Sequence, residues 1–124
     1  MEGQSIVRVL RGKKILLGVT GGIAAYKAAT VASRLTQAGA VVDVMMTRAS
    51  QNFINPLTFS ALTGRPVTTD MWSSGTGQIL HVTMGREADL FIVAPATAHT
   101  IARLALGLAD DALTSTALAS RAPL

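Results

Sequence analysis

The sequence contains no cysteine among its 124 residues, only two histidines and a low share of charged and aromatic side chains, 15% and 4%. The absence of cysteine excludes disulfides, thiolate metal sites and a cysteine nucleophile within these residues. The two histidines, His81 and His99, are isolated from each other and from any acidic cluster, so we expect no metal site. Any chemistry must therefore come from another source.

Long hydrophobic runs are also absent, since no segment approaches the roughly 18 to 20 apolar residues of a membrane helix. The first twelve residues are polar, carry Arg8 and Arg11, and lack the apolar stretch and small-residue cleavage site of a secretory signal. Hydrophobic residues nevertheless make up 49% of the chain, enough for a real core. We expect a polar leader at residues 1–12, one domain at residues 13–124, and a cytoplasmic location.

The net charge is +4, but the eleven basic residues are dispersed along the chain rather than clustered. Only the segment from Arg8 to Lys14 forms a local basic group. With few aromatics for stacking on bases and no recognition motif, the pattern does not favour a nucleic-acid partner. A small anionic molecule is the milder inference.

Short apolar runs alternate with segments of helical periodicity along the chain. Strands are predicted at Ile15–Val19, at Val41–Met46 and at Leu90–Ala94, with an edge strand at residues 66–69. Helices are predicted at residues 23–38, 97–106 and 110–119, and the apolar segment 50–62 is predicted to contain a short helix with Pro56 as its first residue and Gly64 ending it. This alternation indicates an α/β fold in which a parallel, open, doubly wound sheet lies between two helical layers.

The passage from the first strand into the first helix contains Gly21 and Gly22. Without a Cβ, both can adopt positive φ and let a ligand approach the backbone, while free N–H groups at the helix start face an anion. The spacing matches neither the dinucleotide fingerprint nor a P-loop, so a mononucleotide or another small phosphate ester fits better. The alternative is a strand-to-helix turn that binds nothing.

In an open parallel sheet, ligands bind beyond the carboxyl ends of the strands. That rule brings three small, hydroxyl-rich turns to one edge: Thr20–Ile23, Thr47–Arg48 and Pro95–Thr100. The segment 71–77 is predicted to be a loop around Trp72, whose indole either covers a ligand or anchors the loop to the core. The sequence therefore predicts one crevice shared by three turns.

In this order the turns resemble the homo-oligomeric, flavin-containing cysteine decarboxylases, and within them the branch that acts in coenzyme A biosynthesis. The resemblance covers about 110 residues without a large gap. It rests on the following motifs: Gly18-Val-Thr-Gly-Gly-Ile-Ala-Ala-Tyr-Lys27; Met46-Thr47 with Ala49 and Phe53; His81 followed by Ala88-Asp89; Pro95-Ala-Thr-Ala-His-Thr-Ile-Ala102; and Gly107-Leu-Ala-Asp-Asp111 continuing through Thr114 to Pro123.

The resemblance implies a flavodoxin-like fold that binds FMN near a subunit interface, in a trimer or a trimer-based assembly. It implies FMN-dependent decarboxylation of 4′-phosphopantothenoylcysteine to 4′-phosphopantetheine, with a phosphorylated, cysteine-containing small molecule as substrate. His81 matches the family's active-site histidine, the expected base; from the residues alone it reads as a core or helix-start histidine. The residues that match the family's cofactor site are Gly21, Gly22, Ile23, Thr47, Phe53, Ala96, Thr97, Ala98 and His99.

The sequence departs from the family pattern in two places. His99 stands where the family usually has Asn in its Pro-Ala-Ser/Thr-Ala-Asn-Thr motif, so a neutral amide becomes a titratable ring. The family's Pro-x-Met-Asn-x-x-Met-Trp motif and its substrate-clamping Cys would follow Leu124, so we expect the domain to be incomplete at its C-terminus. Without them, the alternative is a non-catalytic FMN-binding or interaction protein. A related flavin prenyltransferase is a third hypothesis, but it would favour a different first turn from Gly21-Gly22-Ile23.

Overall fold

The computed structural model describes residues 8–69 and 77–124, and the side chains of residues 9–69 and 82–124. The described strands are β1 (Lys14–Val19), β2 (Val41–Met46) and β3 (Leu90–Val93). The described α-helices are α1 (Ala25–Gln37), α2 (Pro56–Thr63), α3 (Gly77–Glu87), α4 (Ala98–Leu106) and α5 (Ala112–Ala119); short 3-10 helices lie at Arg8–Leu10 and Ala49–Asn52. None of these helices is long and apolar enough to cross a membrane.

The three strands form one parallel sheet in the order β2-β1-β3. Strand β1 is buried from Ile15 to Val19, and its side chains alternate between two cores. Ile15, Leu17 and Val19 belong to one core, which α1 and α2 cover, whereas Leu16 faces the other, which α3, α4 and α5 cover. Burial on both faces explains the continuous apolar run, and the three-layer α/β/α fold is as predicted.

Two aspartates, Asp43 within β2 and Asp89 just before β3, connect the sheet to neighbouring residues. The Asp43 carboxylate on β2 accepts hydrogen bonds from Arg65, with its Oδ1 2.8 Å from Nε and its Oδ2 3.4 Å from Nη2. Asp89 exchanges two hydrogen bonds with Lys14: its Oδ2 accepts from the Lys14 amide at 2.8 Å, and its own amide donates to the Lys14 carbonyl at 2.7 Å. Both acids therefore have structural partners at the rim of the sheet.

The predicted edge strand at residues 66–69 is reduced to a single parallel bridge between Thr68 and Met45. The Thr68 amide donates to the Val44 carbonyl, and the Met46 amide donates to the Thr68 carbonyl, both at 2.9 Å. On the opposite side of the sheet, the Phe91 amide donates to the Pro123 carbonyl at 2.9 Å.

Helix boundaries differ from the predicted ones where turns intervene. The first helix begins at Ala25 rather than at Ile23, since residues 21–24 form a turn. The second predicted helix, α2, begins with Pro56 as predicted, after the N-cap Asn55, and the 3-10 helix Ala49–Asn52 precedes it. Gly64 ends α2 in the left-handed conformation, with a φ of 71°, as its position predicted.

Helix α3 was not predicted from the sequence, because its apolar residues are spread around the helix instead of forming one stripe. Its packing against α5 depends on Gly85. A Cβ at this position would lie 3.0 Å from the Thr116 carbonyl oxygen, so a small residue lets the two helices approach closely. The predicted loop at 71–77, with Trp72, lies outside the described residues except for its last residue, Gly77, which begins α3.

Part of the stretch that we treat as a leader also belongs to the described fold. Leu10, in the 3-10 helix, packs against the first core, and the Gly12 amide donates to the Gly39 carbonyl at 3.1 Å. The boundary at residue 13 stays a prediction.

The two phenylalanines that follow β2 give a matched test of the core. Phe59 is fully buried, whereas Phe53 is 50% exposed. We expect Phe59→Ala to lower the free energy of unfolding by about 3–5 kcal/mol, because it removes a buried ring and leaves a cavity. We expect Phe53→Ala to cost less than about 1 kcal/mol. Urea unfolding followed by far-ultraviolet circular dichroism measures both, and equal losses would contradict the assignment of the core.

Candidate functional site

A cleft of about 350 Å³ lies at the carboxyl edge of the sheet. It is lined by residues from all three predicted turns and from the two C-terminal helical segments: Gly21, Thr47, Arg48, Ala49, Thr97, His99, Thr100, Arg103 and Asp111. The structure therefore confirms that the turns after β1, β2 and β3 share one crevice.

The first and third turns are joined by the hydroxyl of Thr20, which is 1% exposed. Its Oγ1 donates to the carbonyl of Pro95 and accepts from the amide of Thr97 at 3.1 Å. A buried hydroxyl that is satisfied on both sides holds the two turns in one relative position. The end of β1 thereby positions the start of α4.

The second turn is built around Thr47, which is also buried, at 7% exposed. Its amide donates to the Val19 carbonyl at 3.0 Å, while its Oγ1 accepts from the Ser50 amide at 3.2 Å. The Ser50 hydroxyl in turn donates to the Thr47 carbonyl at 2.7 Å. Because the Thr47 hydroxyl accepts one bond, its own proton is available to an acceptor in the cleft.

The glycine turn approaches the second turn closely. A Cβ on Gly21 would lie 2.6 Å from the Cβ of Ala49, whereas a Cβ on Gly22 would meet nothing nearer than the Pro95 Cγ, at 3.9 Å. Positive φ is not the reason for these glycines, because neither is among the glycines with positive φ. That part of our interpretation was wrong: Gly21 is needed because two backbone turns touch.

The same turn presents amide groups to the cleft edge. The Ala25 amide donates to the Gly22 carbonyl and the Lys27 amide to the Ala24 carbonyl, both at 2.9 Å. Within residues 8–69 and 77–124, the amides of Gly22 and Ile23 have no protein acceptor. Such donors at the entrance to a helix suit an anion.

The third turn leads into α4, whose N-cap is Thr97. The Thr97 Oγ1 accepts from the Thr100 amide at 3.2 Å and lies 3.1 Å from the Thr100 Oγ1. His99, in the first turn of the helix, is exposed and lines the cleft. The substitution of His for the family's usual Asn therefore falls on the wall of the site.

Behind this wall lies Arg103, which is only 9% exposed. Its Nη1 donates to Asp110 Oδ1 at 2.7 Å and to Asp111 Oδ2 at 2.9 Å, and its Nη2 donates to Thr100 Oγ1 at 3.3 Å. Its buried Nε has no partner among the described residues. Burial by itself lowers the pKa of Arg103, but the hydrogen bonds and charges of both carboxylates outweigh it, and the pKa is raised.

Asp111 connects this arginine to the next helix. Its Oδ1 accepts from the Thr114 amide at 2.8 Å and from the Thr114 hydroxyl at 2.6 Å, and its own amide donates to that hydroxyl at 3.2 Å. This is a capping box at the start of α5. One ion-pair network thus links α4, the following loop and α5.

Four of the predicted site residues line the cleft: Gly21, Thr47, Thr97 and His99. The others lie at the same edge but outside the lining: Gly22, Ile23, Phe53, Ala96 and Ala98. His81 lies in α3, and its side chain is outside those described, so its role stays a prediction.

Sequence reasoning did not assign site positions to Ala49, Arg103 and Asp111, whereas Thr100 is the last residue of the third predicted turn. One signal was available, since Asp111 followed three residues later by Thr114 is a helix N-cap pattern. No local sequence pattern predicts that Arg103, in the middle of α4, contacts the N-cap residue Asp111. Among the described residues no group of three potential metal ligands occurs. The polar side chains of the lining are threonine hydroxyls, two arginines, one histidine and one aspartate.

An open parallel α/β sheet with helices on both faces and a cleft at its carboxyl edge is the arrangement of a flavodoxin-like fold. The model of the Flavoprotein family matches residues 4–123, and the chain belongs to that family. A flavin is accordingly the class of cofactor that the family supports.

Individual relatives show which members of the family the chain resembles. The chain is 48% identical over 118 residues to the coenzyme A biosynthesis bifunctional protein CoaBC of Vibrio vulnificus, covering 94% of this chain and 29% of the relative. The chain therefore spans less than a third of the length of such curated relatives.

Two solved structures share the fold. The FMN-dependent cysteine decarboxylase SpaF is 33% identical, with a TM-score of 0.82, over 93% of this chain and 67% of that one. A variant of PPC decarboxylase complexed with pantothenoylaminoethenethiol is 28% identical, with a TM-score of 0.72, over 90% of this chain and 62% of that one.

The close contact of the first two turns yields a prediction. We expect Gly21→Ala to lower the free energy of unfolding by roughly 1–3 kcal/mol, because the new Cβ overlaps Ala49 and forces the turns apart. Gly22→Ala is the control, with an expected cost below about 1 kcal/mol, since its nearest neighbour is at van der Waals distance. Urea denaturation of both variants makes the comparison; a tolerated Gly21→Ala would show that the turns need not touch.

The Arg103 network predicts an acid sensitivity. The hydrogen bond from Arg103 holds the pKa of Asp110 below its ordinary value of 3.8. A carboxylate with a lowered folded-state pKa stabilises the fold above that ordinary value, and the stabilisation is lost as the pH falls from there through the folded-state pKa. We expect Asp110→Asn to flatten the fall in the urea midpoint on acidification below about pH 4.

The control is the same substitution in an Arg103→Met background. Without the guanidinium, Asp110→Asn is expected to leave the pH dependence unchanged. If Asp110→Asn has the same effect in both backgrounds, the acid sensitivity does not come from this ion pair.

Proposed function

We propose that the chain provides the flavin-binding part of an FMN-dependent carboxy-lyase. The reaction is decarboxylation of 4′-phosphopantothenoylcysteine to 4′-phosphopantetheine in coenzyme A biosynthesis. The observation that carries the proposal is the cleft itself, where three strand-end turns present amides and hydroxyls in a chain 48% identical to CoaBC. A cytoplasmic location belongs to the same proposal.

The residues of the cleft fit FMN. The Thr47 hydroxyl in the lining, the amides of Gly22 and Ile23 at the same edge, and the first turn of α4 after Thr97 provide donors suited to a phosphate and a polyol chain. The missing side chain at Gly21 keeps the first two turns together at this edge. A dianionic phosphate is bound in this way without a dedicated lysine; Lys27 is exposed, with its Nζ 5.9 Å from the centre of the Tyr26 ring.

The chemistry that bound FMN supplies is reversible two-electron transfer with the cysteine side chain of the substrate, which makes loss of carbon dioxide feasible. The protein's part is to bind, orient and exchange protons. Thr20, Thr97 and Arg103 hold the turns, and the Thr47 hydroxyl is left to donate to the ligand. His81, on α3, is the proposed base, since the ordinary pKa of an imidazole suits proton removal near neutral pH.

We also propose a trimer or a trimer-based assembly, with the cofactor near a subunit interface. Large apolar side chains are exposed on elements next to the cleft: Ile23 at 81%, Tyr26 at 59%, Phe53 at 50% and Leu57 at 71%. Other exposed apolar side chains, such as Leu106 and Leu118, lie elsewhere on the described surface, so the support for this interface comes from the position of these four beside the cleft. Sedimentation equilibrium measures the mass of the assembly.

The visible absorption spectrum of the purified chain tests the cofactor. A flavin spectrum, with FMN as the chromophore released on denaturation, supports the proposal. A colourless protein that also fails to take up added FMN contradicts it. Release of carbon dioxide from 4′-phosphopantothenoylcysteine then tests the reaction, and FMN binding without carbon dioxide release favours the non-catalytic alternative.

Substitution at Thr47 locates the cofactor. We expect Thr47→Val to weaken FMN binding about tenfold or more, because it removes both the hydroxyl donor and the cap on the Ser50 amide. Thr47→Ser keeps the hydroxyl and is expected to stay within about threefold of the original affinity. Quenching of FMN fluorescence measures both, and equal affinities for the two variants would place the cofactor elsewhere.

A further inference from the structure

One cation in the cleft has no role in the site described so far. Arg48 follows Thr47 at the end of β2, is exposed, and lines the cleft beside Ala49. Among the described residues it forms no ion pair, in contrast to Lys14, Arg65 and Arg103. Its charge is therefore available to a ligand.

The charges around the cleft indicate which ligand suits Arg48. The guanidinium of Arg103 is shared between Asp110 and Asp111, so that group holds one positive and two negative charges. Of these three groups only Arg103 and Asp111 line the cleft, and their charges balance, so they offer no net positive charge to a dianionic phosphate. Arg48 is the lining residue whose positive charge is not balanced by a carboxylate, and a charge-assisted contact to phosphate is stronger than one from a neutral donor.

The position of Arg48 in the fold also favours a contact with a bound phosphate. Arg48 is the residue immediately before the 3-10 helix Ala49–Asn52, and Ala49 is the residue that Gly21 touches. The guanidinium is thus carried by the turn that meets the glycine turn, while α4 begins on the other side of Gly21 through the Thr20 bridge. A phosphate held by the glycine turn lies within reach of a long side chain from this position.

We propose that Arg48 is the cation that recognises the phosphate monoester of the cofactor and so sets the preference for FMN over riboflavin. This inference rests on the proposed function. A cation at this place acts on the phosphate alone, so it contributes to FMN binding and not to binding of the isoalloxazine ring.

The test compares two ligands and two arginines. Binding of FMN and of riboflavin, which lacks the phosphate, is measured by fluorescence quenching for the original chain, Arg48→Gln and Arg34→Gln. Arg34 is exposed in the last turn of α1, at the opposite end of the helix from the glycine turn, and makes the matched control. The original chain gives the FMN-over-riboflavin preference against which the variants are read.

We expect Arg48→Gln to weaken FMN binding by roughly five- to thirtyfold and to leave riboflavin binding within about twofold. Arg34→Gln is expected to change neither. The affinity of the original chain for FMN is expected to fall more steeply with salt than that of Arg48→Gln, because screening acts on the charge pair. Arg48→Lys, which keeps the charge, recovers part of the loss.

Several results overturn the inference while leaving the proposed function intact. One is equal weakening of FMN and riboflavin by Arg48→Gln, which indicates a structural role. Another is unchanged FMN affinity together with weaker binding of phosphorylated substrate, which assigns the cation to the substrate's phosphate instead. Failure of the original chain to bind either flavin overturns the proposed function and the inference together.

Discussion

The hydroxyl of Thr20 is the contact on which the geometry of the cleft depends. A parallel sheet delivers three turns to one edge, but sheet hydrogen bonds end with the strands and do not fix the turns themselves. By donating to the Pro95 carbonyl and accepting from the Thr97 amide, Thr20 carries the order of β1 across to the start of α4. Because the hydroxyl is buried, losing it would leave the Thr97 amide unsatisfied.

A second constraint lies behind the first. Arg103 attaches α4 to the loop that carries Asp110 and Asp111, and Asp111 begins α5. Arg103 is buried while its carboxylate partners are partly or largely exposed, so removing the carboxylates would leave a buried charge uncompensated. The neutral Thr20 hydroxyl and the charged Arg103 network therefore both position α4, from two sides. Thr97 and His99 line the cleft, where a ligand can reach them.

The fold was accessible from the sequence because its signals are local: apolar runs bounded by glycine and proline, and helical spacing between them. Three converging turns followed from a general rule about parallel sheets, and Thr47 and Thr97 were placed correctly at the cleft. What escaped prediction is non-local. Helix α3 lacks a single apolar stripe and depends on Gly85 fitting against α5, and the Arg103 network joins residues seven and eight positions apart through a turn at Gly107.

From the sequence, Gly21 was placed correctly at the cleft but for the wrong physical reason. Gly21 was expected to provide an unusual backbone angle, yet the structure needs it because Ala49 occupies the space of a side chain. The distinction matters for function. If Gly21 were needed only for an unusual backbone angle, the second turn could move away from it. Because Gly21 is needed for its close contact with Ala49, the residue after Thr47 has a fixed position relative to the amides of the glycine turn. Arg48 is that residue, so the contact fixes its backbone beside the glycine turn at the edge of the cleft.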